Sequence, residues 1–133
     1  PRQRPAVVAD DSLEEVRNPV AVGVRHALER LLASGETTVI DLGALPMGPQ
    51  DEAQLLAALG AGEVEATVNA GGPSSVRETA FHGVWLVTHR NEQGEVLARF
   101  VEVAFVPELL MSQPEDVAEA IAALAKNPAF GQN

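Results

Sequence analysis

The stretch from Phe81 to Pro107 holds the residues whose types admit chemistry. It contains His82, His89, Glu102 and Trp85, the only tryptophan, and Glu78 lies just ahead of it. A histidine beside a carboxylate is the minimal unit of general acid–base catalysis, and histidines at ligand spacing hold zinc. The spacing speaks against both. His82 and His89 are seven apart, so in one uninterrupted strand they point to opposite faces. His26 falls on a helical segment, and the three histidines form neither HExxH nor HxH. No serine occupies a GxSxG elbow, and Ser74 and Ser75 stand in a Gly-Gly-Pro context where serine is ordinary turn chemistry. "GALPMGP" and "NAGGP" match neither nucleotide-binding loop. There is no cysteine, which removes thiolate metal sites, cysteine nucleophiles and disulfides. No catalytic residue, metal site or cofactor is expected.

Glu102 lies among apolar neighbours in "RFVEVAFV" and needs a partner if it is buried ionised. Pairing Asn91 with Glu95 across the turn "NEQG" sets Glu102 opposite Val84 and diagonal to His82 and Leu86. Trp85 then falls on the other face with Val101 and Val103, and a slip of one residue would reverse the assignment. An ion pair of Glu102 with His82, Arg77 or Arg99 is the structural reading. A Glu78/His82/Glu102 polar centre is the enzymatic or small-molecule-binding alternative. Trp85 reads as a core anchor by default and as an interface hot spot if exposed.

The elements that must position these residues follow from periodicity and breakers. Asn18 and Pro19 open a helix that Gly35 stops, with Val20, Val24, Ala27, Leu28, Leu31 and Leu32 on one stripe. Thr37 to Leu42 is a β-branched strand. "PQDEAQLLAALG" is a second helix, with Asp51 and Glu52 near its positive end and Gly60 as its stop. Glu63 to Ala70 is a strand and "GGPSS" a loop. Two long strands, Val76–Arg90 and Glu95–Val106, flank a type I turn with a bulge, in which Gly94 is left-handed. Pro114 to Lys126 is a closing helix striped with Val117, Ile121 and Leu124. The order α-β-α-β-β-β-α predicts an α+β fold, a mainly antiparallel four-stranded sheet covered by about three helices. Residues 1–18 read as a flexible arm, 19–126 as one domain and 127–133 as a tail.

The net charge of −10, with 19 acids against nine bases in 133 residues, disfavours nucleic acid and anionic membrane surfaces and favours basic partners. No apolar run reaches the ~20 residues of a membrane span. No apolar core follows Pro1–Arg4, so a signal peptide is not expected. The absence of cysteine fits a cytoplasmic setting.

Taken in order, three patterns carry a family likeness: LG-x-GEV at Leu59, Gly60, Gly62, Glu63 and Val64; E-x-x-x-x-GVW at Glu78, Gly83, Val84 and Trp85; and EV-x-x-x-P at Glu102, Val103 and Pro107. With Ile40, Asp41, Leu42, Leu45, Pro46 and Asp51, they make the chain from about Pro19 to Leu110 resemble the C-terminal type of module in the HupH/HyaF hydrogenase expression and maturation family. The resemblance implies a cytoplasmic accessory protein for assembling uptake nickel–iron hydrogenase. Its partners would be a hydrogenase subunit precursor, the iron–sulfur small subunit first among them, and other maturation factors. The family supplies no agreed catalytic residues. Larger relatives carry two such modules, and this chain has room for one. The partner-binding surface is expected on the sheet near Trp85, rimmed by Glu78, Glu92, Glu95 and Glu102. A homo-oligomer without a client is the third reading.

Overall fold

The computed structural model describes residues 19–69 and 71–130. The arm expected over 1–18 and the last residues of the tail lie outside them. Helix α1 (Pro19–Ser34) is followed by β1 (Thr38–Asp41), a 3-10 turn (Leu42–Ala44) and α2 (Pro49–Leu59). Four strands come next: β2 (Glu65–Asn69), β3 (Pro73–Glu78), β4 (Val84–Arg90) and β5 (Val96–Val103). A 3-10 turn (Glu108–Leu110), α3 (Pro114–Lys126) and a last 3-10 turn (Pro128–Phe130) end the described chain. The strands form one antiparallel sheet in the order β1-β5-β4-β3-β2.

The α+β class is as expected, but the sheet has five strands, not four. The expected long strand from Val76 to Arg90 is two strands, β3 and β4, folded back on each other around Thr79–Gly83. Thr79 makes that reversal. Its N–H and its hydroxyl both donate to the Val84 carbonyl, and its hydroxyl oxygen accepts from the Phe81 N–H. The expected "GGPSS" loop is also corrected: Pro73, Ser74 and Ser75 belong to β3, and only Gly71–Gly72 remain as its turn from β2.

The turn between β4 and β5 forms as read. Asn91 N–H donates to the Glu95 carbonyl at 2.9 Å, Gly94 N–H donates to the Asn91 carbonyl at 3.0 Å, and Gly94 has φ +86°. Arg90 faces Val96, which is the register that the turn dictates. One residue further on, His89 faces Ala98, so Leu97 is an extra residue on β5 and the pairing shifts by one. That bulge overturns the expected face assignment, because side chains alternate along a strand. Trp85 faces Glu102, while Val84 and Leu86 face Val103 and Val101.

The sheet therefore has two unequal faces. Val84, Leu86, Val101 and Val103 pack under α1 and α2, against Val24, Ala27, Leu31, Leu55 and Leu59. Arg99 reaches from β5 to Glu52 of α2 at 3.0 Å. On the opposite face Val76, Trp85 and Val87 are buried with help from Phe100 and Leu110. That cover comes from the return segment after β5. Helix α3 does not provide it. Its apolar stripe of Val117, Ile121 and Leu124 is exposed, which corrects the expectation that three helices cover the sheet. Among the described residues no helix is long and apolar enough to cross a membrane.

Candidate functional site

The five-stranded register brings Glu78, Trp85 and Glu102 into one row, on neighbouring strands β3, β4 and β5. Each of the three side chains holds a backbone group of an adjoining segment.

Glu78 is the most heavily used. It closes β3 where the "LGAGEV" segment crosses, and the two are stitched along the backbone. Gly62 N–H donates to the Glu78 carbonyl at 2.7 Å, and Glu78 N–H donates to the Val64 carbonyl at 2.9 Å. Ala80 N–H donates to the Leu59 carbonyl at 2.8 Å. The Glu78 carboxylate adds a side-chain stitch, with Oε1 accepting from the Glu63 N–H at 3.2 Å. Its Oε2 lies 3.1 Å from Nδ1 of His82. An ionised carboxylate can only accept, so Nδ1 carries the proton. The His82 hydrogen bond first, and then the Glu63 N–H, hold the Glu78 carboxyl below the usual carboxylate range, against the opposing effect of burial. His82 itself is a surface group, its side chain 95% exposed.

This arrangement has a pH signature. A carboxylate whose pKa is lowered by folding stabilises the fold fully above its unfolded value of about 4.3, and that contribution disappears as pH falls through the lower folded value. Glu78→Gln is expected to be less stable than the parent at neutral pH. Its stability should fall less than the parent's on acidification below about pH 4.3. Denaturant melts of both proteins across that range check this, and parallel curves would contradict it.

Glu102 is also occupied, but not as the sequence predicts. Its Oε2 accepts from the Glu108 N–H at 3.0 Å, at the head of the 3-10 turn that follows the buried Pro107. The expected ion pairs with His82, Arg77 or Arg99 are replaced by this contact: His82 bonds Glu78 and Arg99 bonds Glu52. The cause is the Leu97 bulge, which turns Glu102 toward the return segment. Trp85 lies between the two carboxylates, 7% exposed, and its indole N–H donates to the Ala104 carbonyl at 3.0 Å. It is a buried support, not a displayed side chain.

Glu92 and Glu95 are elsewhere. They sit in the β4–β5 turn, at least six residues beyond Trp85 and hence roughly 20 Å away. Glu95 Oε1 accepts from the Asn91 amide at 2.9 Å. The structure thus joins Glu78, Trp85 and Glu102 and separates them from the other two acids.

The proposed polar centre does not close either. Glu78 and His82 border a cleft at the end of α1 with Leu28, Leu32 and Phe105, whereas Glu102 borders a trough on the other side with Val39, Phe100 and Met111. His89 shares that trough, bonded to Ser74 Oγ at 2.8 Å and edge-on to Phe100. Among the described residues no group of three or more His, Asp or Glu is arranged to hold a metal ion.

The remaining motif residues have architectural places. Asp41 Oδ1 accepts from the Gly43 N–H at 2.9 Å and starts the first 3-10 turn. Asp51 Oδ2 accepts from the Gly48 N–H at 3.3 Å at the head of α2. Leu45 and Pro46 face Pro19 and Val20 at the start of α1. Gly60 caps α2, and Gly83 passes under Leu28. Sequence reasoning missed one surface, the trough beside Glu102, whose lining comes together only with the register of β1, β4 and β5 and the return segment, so no local sequence signal marks it.

Residues 17–129 match the family model described as HupH hydrogenase expression protein, C-terminal conserved region. The hydrogenase expression/formation protein HupH of Rhizobium leguminosarum bv. viciae is 30% identical over 106 residues, covering 80% of this chain and 38% of that protein. HoxQ of Azotobacter vinelandii is 31% identical over 93 residues, covering 70% of this chain and 32% of that one. The chain thus spans well under half the length of these relatives. A solved structure, the hydrogenase expression protein HupH from Thiobacillus denitrificans ATCC 25259, superposes with a TM-score of 0.78 at 51% identity. It covers 80% of this chain and 89% of its own.

Proposed function

Because the chain belongs to the HupH hydrogenase expression protein family, we propose that it is a non-catalytic accessory factor in the maturation and assembly of uptake nickel–iron hydrogenase. It works in the cytoplasm on a hydrogenase subunit precursor, and the iron–sulfur small subunit is the client. The observation that carries this reading is the family match over residues 17–129. The chemistry of the site supports it. Glu78 and Glu102, the two buried carboxylates among the described residues, each hold a backbone N–H group and do not converge on a common cleft. An arrangement of that kind suits a surface-building role, with the Glu78–His82 pair at its edge.

The client contact combines the sheet end around Glu78, Trp85 and Glu102 with the acidic hairpin tip. A net charge of −10 draws basic segments of a precursor toward that tip and makes the encounter sensitive to salt. Capture of the small subunit from cells making hydrogenase tests both parts. The chain is expected to retain the small-subunit precursor. The double variant Glu92→Lys, Glu95→Lys should melt close to the parent yet retain on the order of tenfold less precursor at low salt. Absence of the small subunit from the captured material would refute the client assignment. Equal capture by the variant at low ionic strength would remove the hairpin tip from recognition.

A further inference from the structure

The two edges of the sheet are unlike. Strands β1 and β2 each have a neighbour on one side only. β2 exposes Glu65, Thr67 and Asn69, polar side chains that discourage a further strand. β1 contains neither lysine nor proline and presents Val39, 58% exposed. In an antiparallel ladder only alternate residues turn their N–H and C=O toward a given neighbour. β1 is paired with β5 alone, so its other backbone groups point outward. Among the described residues, no backbone hydrogen bond from outside the ladder reaches Thr38–Asp41.

Beside this edge lies a carboxylate that is only half engaged. Val39 faces Glu102 across the ladder, so both side chains stand on the trough side of the sheet. Glu102 is 9% exposed. Its Oε2 accepts from the Glu108 N–H, and none of the described residues donates to Oε1. A carboxylate buried to that extent stays charged at low cost only with a further donor. The trough brings none to it. The lining adds Glu108 and Asp116 and holds neither lysine nor arginine, while its His89 is bonded to Ser74. Arg99, the base of β5, turns to the opposite face and bonds Glu52.

We propose that the free edge of β1 takes up an extended segment of a partner protein as a further strand, with an arginine opposite Val39 whose guanidinium meets Glu102 Oε1. Strands lie ~4.8 Å apart, so the Cα of a residue beside Val39 stands about 10 Å from that of Glu102. Arginine and glutamate side chains together bridge that gap, and the arginine stem covers Val39 on the way. A guanidinium suits the place because it is weakly hydrated and bonds a carboxylate in a fixed geometry. Backbone bonds to β1 give the segment its affinity, and the arginine sets its register. The inference rests on the accessory-protein reading only for the origin of the segment. Its test uses no hydrogenase component, so the two fail separately.

The probe is a capped peptide, Thr-Val-Thr-Arg-Thr-Val-Thr, titrated into isotope-labelled chain and followed by amide NMR shifts. The shifts should gather on Thr38–Asp41, Glu102 and Glu108. Citrulline in place of the peptide's arginine should weaken binding roughly tenfold. Glu102→Gln should weaken the arginine peptide by a similar factor and leave the citrulline peptide unaffected. Glutamine keeps an oxygen for the Glu108 N–H, and a thermal melt checks that the variant is folded. N-methylation of alternate peptide residues gives a second readout. One set turns its N–H groups to β1 and should lose binding, while the other turns them away and should bind as before. Equal affinity of the arginine and citrulline peptides would overturn the proposal. So would equal binding by the two methylated sets, shifts centred on the β4–β5 turn or on β2, or no shift at millimolar peptide.

Discussion

Replacing Trp85 with alanine is expected to destabilise the fold by about 4 kcal/mol. The indole is 7% exposed, packs with Val76 and Val87, and donates its N–H to the Ala104 carbonyl at 3.0 Å. Alanine removes the ring, leaves a cavity and strands that carbonyl beneath the return segment. Against a total stability of roughly 5–15 kcal/mol, the loss is large, and the melting temperature should drop by on the order of 15 °C. Trp85→Phe separates the two contributions. It keeps most of the packing and loses only the hydrogen bond, for about 1–2 kcal/mol. Thermal melts of the three proteins decide the matter. A drop of only a few degrees for Trp85→Ala would mean that the indole does not support the second face.

The other large effect is expected at Gly62, for a reason of space. A Cβ on this residue would stand 2.5 Å from the Thr79 carbonyl oxygen and 2.7 Å from Glu78 Oε1. Neither atom can retreat cheaply. The backbone there is held by the 2.7 Å hydrogen bond from Gly62 N–H to the Glu78 carbonyl, and the carboxylate is held by the Glu63 N–H. Gly62→Ala should therefore cost about 3 kcal/mol, as for an overpacked core. Gly23 is the internal control. It lies inside α1 with nothing within 4 Å of an added Cβ, so Gly23→Ala should stabilise by about 1 kcal/mol. If the two alanine variants denature alike, the stitch between "LGAGEV" and β3 is not as tight as its distances imply.

Helices α1 and α2 and the turn at Asn91–Gly94 were legible in the sequence because their signals are local: a proline at the first turn, a glycine stop, and an asparagine and glycine at fixed offsets. The motif order was legible too, and with it the family. Three features were not, each for a definite reason. The face of Glu102 depends on Leu97, one extra residue that no turn residue marks, and a single insertion inverts the side-chain alternation. The break at Thr79–Gly83 is made by a threonine hydroxyl bonding to the backbone, in a run whose apolar content reads as continuous strand. The stripe on α3 shows that the helix has an apolar side, but periodicity carries no information about which surface meets it. For the candidate site, residue types identified Glu78, Trp85 and Glu102, while their common row emerged only with the register.

The position of Trp85 under the return segment has an optical consequence. As the sole tryptophan of the chain, it makes the molecule its own fluorescent label. With the indole shielded and its N–H bonded to Ala104, emission should be blue-shifted while the segment from Ala104 to Met111 stays seated, and should move to the red when that segment lifts and water reaches the ring. Stopped-flow emission can then time the lifting of this segment apart from the melting of α1 and α2, which far-ultraviolet dichroism follows. A second face that opens before the helices melt would appear as two rates in one sample.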